Sequence, residues 1–300
     1  MLRPIIAALL VVAASPAAAD PLTLPEFIQT IHPVKADVRV AYGPGTSQWA
    51  DLYLPEGSGP HPVLILIHGG CYSANVPAES TSQMAADLAK HGVAVWNVEY
   101  RRIGEPGGGY PGTFQDIAAA TDRLKAEALP YHLDLTRVVA VGHSAGGLLA
   151  LWAASRDKLP AQSPLHKEGP LPIPTAILLA GTGDLKANAP WIQLVCTNVP
   201  HIEALVGAAS TTRQDPFGDT SPRELLPLGV RTVSIVGAYD DNYPPYISLA
   251  WRRAARASGD AAETVILPDV GHYDLAAVSA PAWTIVRERI LREVRALPAK

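Results

Sequence analysis

Short, mostly apolar runs recur along the chain, and each is followed by a longer stretch in which apolar residues have helical spacing. Consecutive Val, Ile and Leu residues are typical of strands buried on both faces of a parallel sheet. Because strands that alternate with helices of about ten or more residues form crossover units, the pattern predicts an α/β fold, a mainly parallel central sheet flanked by helices. The predicted strands are 63–67, 93–98, 138–141, 175–179, 230–236 and 264–267, and the predicted helices are 80–91, 113–129, 144–156, 244–258 and 282–297.

Two regions depart from this alternation. The more polar stretches at 37–42 and 49–54 predict an antiparallel hairpin at the edge of the sheet. Residues 185–228 contain five prolines and follow the strand that ends near Ala180, which predicts a small cap-like insertion. No linker rich in serine or charge divides the chain, so one domain is expected over residues 20–300.

The first nineteen residues have the order of a secretory signal peptide. Arg3 supplies a positive charge, residues 4–14 are apolar, and three alanines end at Ala19. The apolar run is shorter than the roughly 20 residues that span a bilayer. We therefore expect cleavage after Ala19 and an exported, soluble protein in the periplasm or outside the cell, with no stable membrane anchor.

Composition narrows the possible partners. The net charge is −4 and no basic block stands out, so nucleic acid is not an expected partner. The two cysteines, Cys71 and Cys196, are too few for a disulfide scaffold or for a zinc site built on cysteines. Export permits a bridge between them, but the sequence leaves open whether they pair or stay as two free thiols.

Residues 142–146 have the pattern G-x-S-x-G, which is the first candidate catalytic motif. It follows a predicted strand and opens a predicted helix. This context is that of a nucleophile elbow, where small residues flank a serine in a strained turn. It predicts Ser144 as the nucleophile, with His143 pointing away and with the N–H of Ala145 facing a developing oxyanion. The alternative is a tight turn with an incidental serine.

A second glycine-rich loop, His68-Gly69-Gly70, directly follows the strand at 63–67. Glycines at such a place let backbone N–H groups point at an oxyanion. His68 itself is expected to hold the loop by a hydrogen bond. The alternative is a simple glycine turn in which His68 only packs.

A nucleophilic serine needs a base and a carboxylate that orients it. His272 follows the last predicted strand and is the expected base, and Asp240 follows the strand before it and is the expected acid. Two other carboxylates compete with Asp240. Asp241 is expected to face elsewhere and to be placed for capping the next helix, and Asp184 to order the start of the insertion.

Taken together, these motifs resemble an α/β-hydrolase of the esterase/lipase type, close to small bacterial esterases and kynurenine-formamidase-like hydrolases. The order Ser144, Asp240, His272 along the chain is that of this fold. The resemblance implies an α/β-hydrolase fold, a triad of these three residues and no metal or organic cofactor. It also implies an oxyanion hole made by the backbone N–H groups of Gly70, Cys71 and Ala145.

The substrate is less sharply indicated. The chain has Cys71-Tyr72 where the family usually has a third glycine or a bulky Tyr-Trp pair, so Tyr72 is expected to shape the acyl pocket. Trp152 and Trp191 either line an apolar pocket under the insertion or pack the insertion onto the sheet. A short insertion favours esters of short to medium acyl chain. The alternatives are an amidase, formamidase or peptidase with the same triad, or an inert binding protein, which an intact triad disfavours.

Overall fold

The computed structural model describes residues 20–196 and 202–298; the expected signal peptide, at 1–19, lies outside these ranges. One eight-stranded sheet runs through the described residues. Each predicted strand is present, which confirms the predicted α/β architecture. The strands are β1 Val38–Ala41, β2 Trp49–Tyr53, β3 His61–Ile67, β4 Ala94–Val98, β5 Leu133–His143, β6 Thr175–Leu179, β7 Arg231–Gly237 and β8 Ala262–Leu267. Their order across the sheet is β1-β2-β4-β3-β5-β6-β7-β8.

The order of the strands determines which loops meet. β1 and β2 form the expected antiparallel edge hairpin, and β2 pairs antiparallel with β4. Every other pairing is parallel. In the register of β3 on β5, Ile67 lies opposite Gly142. The loops that leave these two strands therefore start side by side at the same edge of the sheet.

The helices cover the sheet. The helix Ala145–Ala154, α4, is buried along its whole length, because it is apolar on every side and packs on the central strands. Three helices of the described residues were not predicted: the first in chain order, the one that opens the insertion and a five-residue helix that follows it. The helices are α1 Leu24–Thr30, α2 Ser82–Ala89, α3 Gly112–Glu127, α4 Ala145–Ala154, α5 Leu185–Val195, α6 Ile202–Val206, α7 Pro245–Ala257 and α8 Pro281–Arg295.

Two of the unpredicted helices, α1 and α5, begin at polar side chains. The Glu26 carboxylate accepts a hydrogen bond from the Thr23 N–H at 2.9 Å, which is half of a capping box. The Asp184 carboxylate caps α5 by accepting from the Ala187 N–H at 2.9 Å. Asp184 thus orders the start of the insertion, as predicted. Among the helices of the described residues, none combines the length and the apolar composition that a membrane crossing requires.

Candidate active site

Ser144 lies in a strained turn between β5 and α4, with φ 54° and ψ −121°. Few residues with a side chain adopt this conformation, and such strain concentrates at functional sites. The turn needs glycine on both sides of the serine. A Cβ on Gly142 would lie 2.0 Å from the carbonyl oxygen of Gly146, and a Cβ on Gly146 would lie 2.1 Å from that of Ile67. The elbow therefore holds its serine by close backbone packing.

The loop after β3 lies directly against this serine. A Cβ on Gly69 would be 3.0 Å from the Cβ of Ser144, so only glycine allows so close an approach. Within the described residues, the backbone N–H groups of Gly70 and Cys71 donate no hydrogen bond to a protein acceptor. These two donors are therefore free to meet an oxygen atom of a bound molecule.

A buried ion-pair cluster supports the loop from below. One ring nitrogen of His68, Nδ1, contacts the carbonyl oxygen of Gly69 at 2.8 Å, and the other, Nε2, contacts a Glu99 oxygen at 3.1 Å. Burial by itself raises the pKa of the Glu99 carboxyl, but the neighbouring His68 and Arg102 lower it more, so the net pKa is below its usual value. Glu99 also accepts from the N–H of Ala78 at 2.9 Å. His68 holds the loop by hydrogen bonds, as predicted.

The Asp240 carboxylate lies against the ring of His272. Its two oxygens are 3.0 and 3.1 Å from Nδ1 of His272, and the side chain of Asp240 is completely buried. A further hydrogen bond from the N–H of Tyr243, at 2.7 Å, fixes the carboxylate. Because a carboxylate accepts hydrogen bonds, this contact directs the proton of the imidazole to Nδ1 and leaves Nε2 free to accept one.

The neighbouring carboxylate, Asp241, takes no part in this pair. Its side chain is exposed, and it accepts no hydrogen bond from a described residue. The expectation that Asp241 caps the following helix is wrong: Pro244 is the N-cap of α7, and no side chain bonds there. The physical reason is that the backbone between the two aspartates turns the first one inward, where the N–H of Tyr243 holds it.

His143 also differs from its prediction. Instead of pointing away, its ring lies 4.7 Å from the ring of His272, and its Nε2 is 3.0 Å from the backbone oxygen of His272. A carbonyl oxygen only accepts, so Nε2 of His143 carries the proton. Burial, together with the nearby His272, lowers the pKa of His143 to about 3. The side chain is therefore a neutral support for the backbone at His272.

A cavity of about 390 Å³ opens over these groups. Ser144 and His272 both line it, together with the glycines of the loop after β3. The remaining walls come from α1, from the segment before α2, from the end of α5 and from the loops around Asn242 and Tyr273. The lining residues are Leu24, Phe27, Gly69, Gly70, Cys71, Val76, Ser80, Thr81, His143, Ser144, Val195, Cys196, Asn242, Tyr243, His272, Tyr273 and Ala276.

The three residues expected to shape the acyl pocket do not line this cavity. Trp152 is completely buried, and its indole N–H donates to the Asp219 carbonyl at 2.8 Å, so it packs the insertion onto the sheet. Trp191 donates from its indole to the carbonyl of Asn242 at 2.7 Å, and so supports a residue that lines the cavity. Tyr72 is buried and, with Cys71, lines a separate, smaller pocket. Phe27 and Leu24, which the sequence analysis missed, line the cavity instead; the T-x-x-E pattern at Thr23 was the available signal for their helix.

Cys71 and Cys196 form a disulfide whose Cα atoms are 5.5 Å apart and which closes a loop of 125 residues. The bridge joins the loop after β3 to the end of α5, and both cysteines line the cavity. It thereby ties the insertion to the rim of the site. No cluster of three or more His, Cys, Asp or Glu side chains suited to a metal ion is found in 20–196 and 202–298.

Comparisons with known proteins identify the class. The sequence profile of the BD-FAE family matches residues 50–243, and the chain belongs to this family of α/β-hydrolase esterases. The protein is therefore an esterase-type hydrolase, as predicted. The match includes Ser144 and Asp240 and ends before His272. No curated protein sequence matches the chain significantly.

Solved structures share the fold at low sequence identity. Esterase B from Lactobacillus rhamnosis is 20% identical with a TM-score of 0.73, covering 86% of this chain and 84% of its own. A bacterial heroin esterase is 24% identical with a TM-score of 0.65, covering 87% and 84%. A bifunctional GH43-CE protein of Bacteroides eggerthii is 22% identical with a TM-score of 0.68; the match covers 85% of this chain and only 37% of that longer chain. These likenesses confirm the α/β-hydrolase fold.

Proposed function

We propose that the protein is an exported serine hydrolase that cleaves carboxylic esters of short to medium acyl chain through an acyl-enzyme. The observation that carries the proposal is the buried contact between Asp240 and Nδ1 of His272, at 3.0 Å, in a site whose cavity also exposes the strained Ser144. A nucleophile, a base and a carboxylate that orients the base are the parts that acyl transfer requires.

The reaction has two halves. Nε2 of His272 takes the proton of the Ser144 hydroxyl as its oxygen attacks the ester carbonyl, and Asp240 stabilises the imidazolium that forms. His272 then gives this proton to the leaving alcohol as the C–O bond breaks. Water attacks the acyl-enzyme with the same base, and the acid product leaves while Ser144 regains its proton.

The tetrahedral intermediate places a negative charge on the former carbonyl oxygen. The donors that we propose for it are the backbone N–H groups of Gly70, Cys71 and Ala145, the last at the N-terminus of α4. In other enzymes, one such donor contributes about 2.7–4 kcal/mol. The His68–Glu99 contact and the disulfide at Cys71 hold this loop before substrate arrives, so little reorganisation is needed.

The size and the walls of the cavity favour small esters. Its volume of about 390 Å³ is near the lower end of small-molecule sites, which run from about 300 to 1,000 Å³. Leu24 and Phe27 on α1 and Val195 on α5 give the cavity apolar wall positions, which suit an aliphatic substituent. The disulfide is in keeping with an oxidising compartment, and cleavage after Ala19 would deliver the chain there.

Two serines line the cavity, which provides a matched test. Wild type is expected to hydrolyse p-nitrophenyl acetate and to react covalently with a fluorophosphonate. Ser144→Ala should lose both activities, whereas Ser80→Ala should keep the fluorophosphonate label. A label that stays on Ser144→Ala, or that is lost with Ser80→Ala alone, would contradict the proposed nucleophile.

A parallel panel of aryl amides and aryl formamides separates ester from amide chemistry on the same triad. The proposal expects kcat/KM for an ester to exceed that for the amide with the same acyl group. The reverse order would identify the protein as an amidase or formamidase. No turnover of either class, with no fluorophosphonate label, would favour the inert binding protein.

A further inference from the structure

The segment at the start of the described chain is attached to the loop that carries His272. The Asp274 carboxylate accepts a hydrogen bond from the N–H of Gly271 at 2.8 Å. The same carboxylate accepts from the N–H of Leu22, with distances of 3.3 and 3.4 Å to its two oxygens. One buried side chain thus joins the N-terminal segment to the residue that precedes His272.

α1 then continues along the cavity. The ring of Phe27 stacks on the ring of Tyr273, with centroids 5.4 Å apart and planes 22° apart, and its centroid is 6.5 Å from that of His143. Leu24 precedes Phe27 by three positions and therefore shares its helix face. Both side chains line the cavity that exposes Ser144.

The two side chains differ in exposure, and this difference separates their contributions. Phe27 is 8% exposed and supports Tyr273, whereas Leu24 remains 48% exposed and contributes little to the core. An apolar side chain that is half exposed in a cavity can bury more of its surface against an apolar ligand. Each methylene group that becomes buried raises the affinity for the ligand about fourfold. Ile28 is 56% exposed on the same helix but does not line the cavity.

We propose that Leu24 and Phe27 are specificity-determining residues that contact the apolar substituent of the ester bound at Ser144. The inference rests on the proposed function and deepens it, because it assigns part of the substrate site to α1. It predicts that selectivity for longer substituents depends on these two side chains and acts mainly through KM, since they lie away from the reacting atoms.

The experiment compares wild type with Leu24→Ala, Phe27→Ala and the control Ile28→Ala. One series of p-nitrophenyl esters runs from acetate to butyrate and octanoate; a second series keeps the acetyl group and lengthens the alcohol. In one of the two series, the ratio of kcat/KM for the longest substrate to that for the shortest should fall about fivefold or more in the first two variants. Ile28→Ala should keep the wild-type ratio. The series that responds tells which side of the ester faces α1.

The outcomes are separable. If wild type hydrolyses no ester, the proposed function fails and the inference fails with it. If wild type is active and both ratios of Leu24→Ala match those of wild type, the inference alone is overturned. Leu24→Ala is the decisive variant, because the side chain of Leu24 is half exposed and its removal should leave the fold intact. Phe27→Ala, in contrast, also removes the packing of Phe27 on Tyr273. A fall in Ile28→Ala equal to that in Leu24→Ala would also overturn it, since it would assign the effect to the helix as a whole.

Discussion

Replacing Asp240 with asparagine tests whether the carboxylate of Asp240 orients the ring of His272. The carboxylate meets Nδ1 of His272 with both oxygens, at 3.0 and 3.1 Å, and its side chain is completely buried. Solvent and salt therefore screen the contact little. An asparagine would turn its NH₂ group toward the ring, which favours the tautomer with the proton on Nε2. That tautomer cannot accept the proton of Ser144.

The expected magnitude is that of other enzymes in which a carboxylate orients the histidine base. The loss of orientation and of imidazolium stabilisation costs about 10⁴-fold in kcat in enzymes with this triad, or roughly 5.4 kcal/mol. The fold should survive, because the amide oxygen of asparagine can still accept from the N–H of Tyr243, which the carboxylate does now at 2.7 Å. The expected variant is therefore folded and nearly inactive.

The adjacent aspartate provides the matched control. Asp241→Asn makes the same chemical change one residue away, on an exposed side chain. We expect a change of less than about twofold in kcat, since exposed charges without a partner contribute little. The assay is steady-state hydrolysis of p-nitrophenyl acetate, with thermal unfolding of each variant to confirm its fold.

Three results would refute the reasoning. An active Asp240→Asn with an inactive Asp241→Asn would mean that the second aspartate is the acid. If both keep activity and Asp184→Asn is inactive, the acid follows the earlier strand. If Asp240→Asn is unfolded at the assay temperature, its loss of activity says nothing about orientation, and the prediction of an intact fold is wrong.

Further predictions concern the disulfide, the buried histidine and the elbow. Without reductant, an alkylating reagent should leave the mass of the protein unchanged; after reduction it should add two alkyl groups, one each on Cys71 and Cys196. Reduction should also lower the free energy of unfolding by up to about 4–5 kcal/mol, because the disulfide closes a long loop. Two alkylated cysteines without reductant would contradict the bridge. Burial lowers the pKa of His143 from 6.5, its ordinary value, to about 3 in the folded protein. Between these two pH values the unfolded chain therefore binds more protons than the folded protein. The free energy of unfolding should fall as the pH falls through this range, by at most about 1.4 kcal/mol per pH unit. His143→Gln should flatten that slope in urea titrations from pH 7 to 4; parallel profiles would contradict it. Gly146→Ala should lower the melting temperature and abolish fluorophosphonate labelling, because its Cβ would lie 2.1 Å from the carbonyl oxygen of Ile67; a stable, reactive variant would contradict the close packing.

The sheet and the elbow could be predicted from the amino-acid sequence. Runs of Val, Ile and Leu need burial on both faces, which predicted the positions of β3 and β5. β3 begins two residues before its predicted run, and β5 begins five residues before and ends two residues after its predicted run. A serine in a strained turn needs glycine before and after it, so Gly142 and Gly146 are visible in the sequence alone. These features are local, and neighbouring residues are enough to specify them.

Which side chains contact one another depends on the folded chain. Asp240 and Asp241 have the same chemistry, and only the turn after β7 decides which of them faces His272. Trp152 follows the elbow closely in sequence, yet its side chain is buried in the core, donates to the carbonyl of Asp219 and does not line the cavity.

The walls of the cavity come from residues far apart along the chain. α1 is seven residues long, too short for a clear helical periodicity, and its Phe27 acquires its place only by stacking on Tyr273. The sequence contains both cysteines, but it does not give the distance between them, so it could not tell a disulfide from two free thiols. Periodicity and turn chemistry are properties of adjacent residues, whereas a cavity depends on contacts between distant segments, and these form only when the sheet brings the segments together.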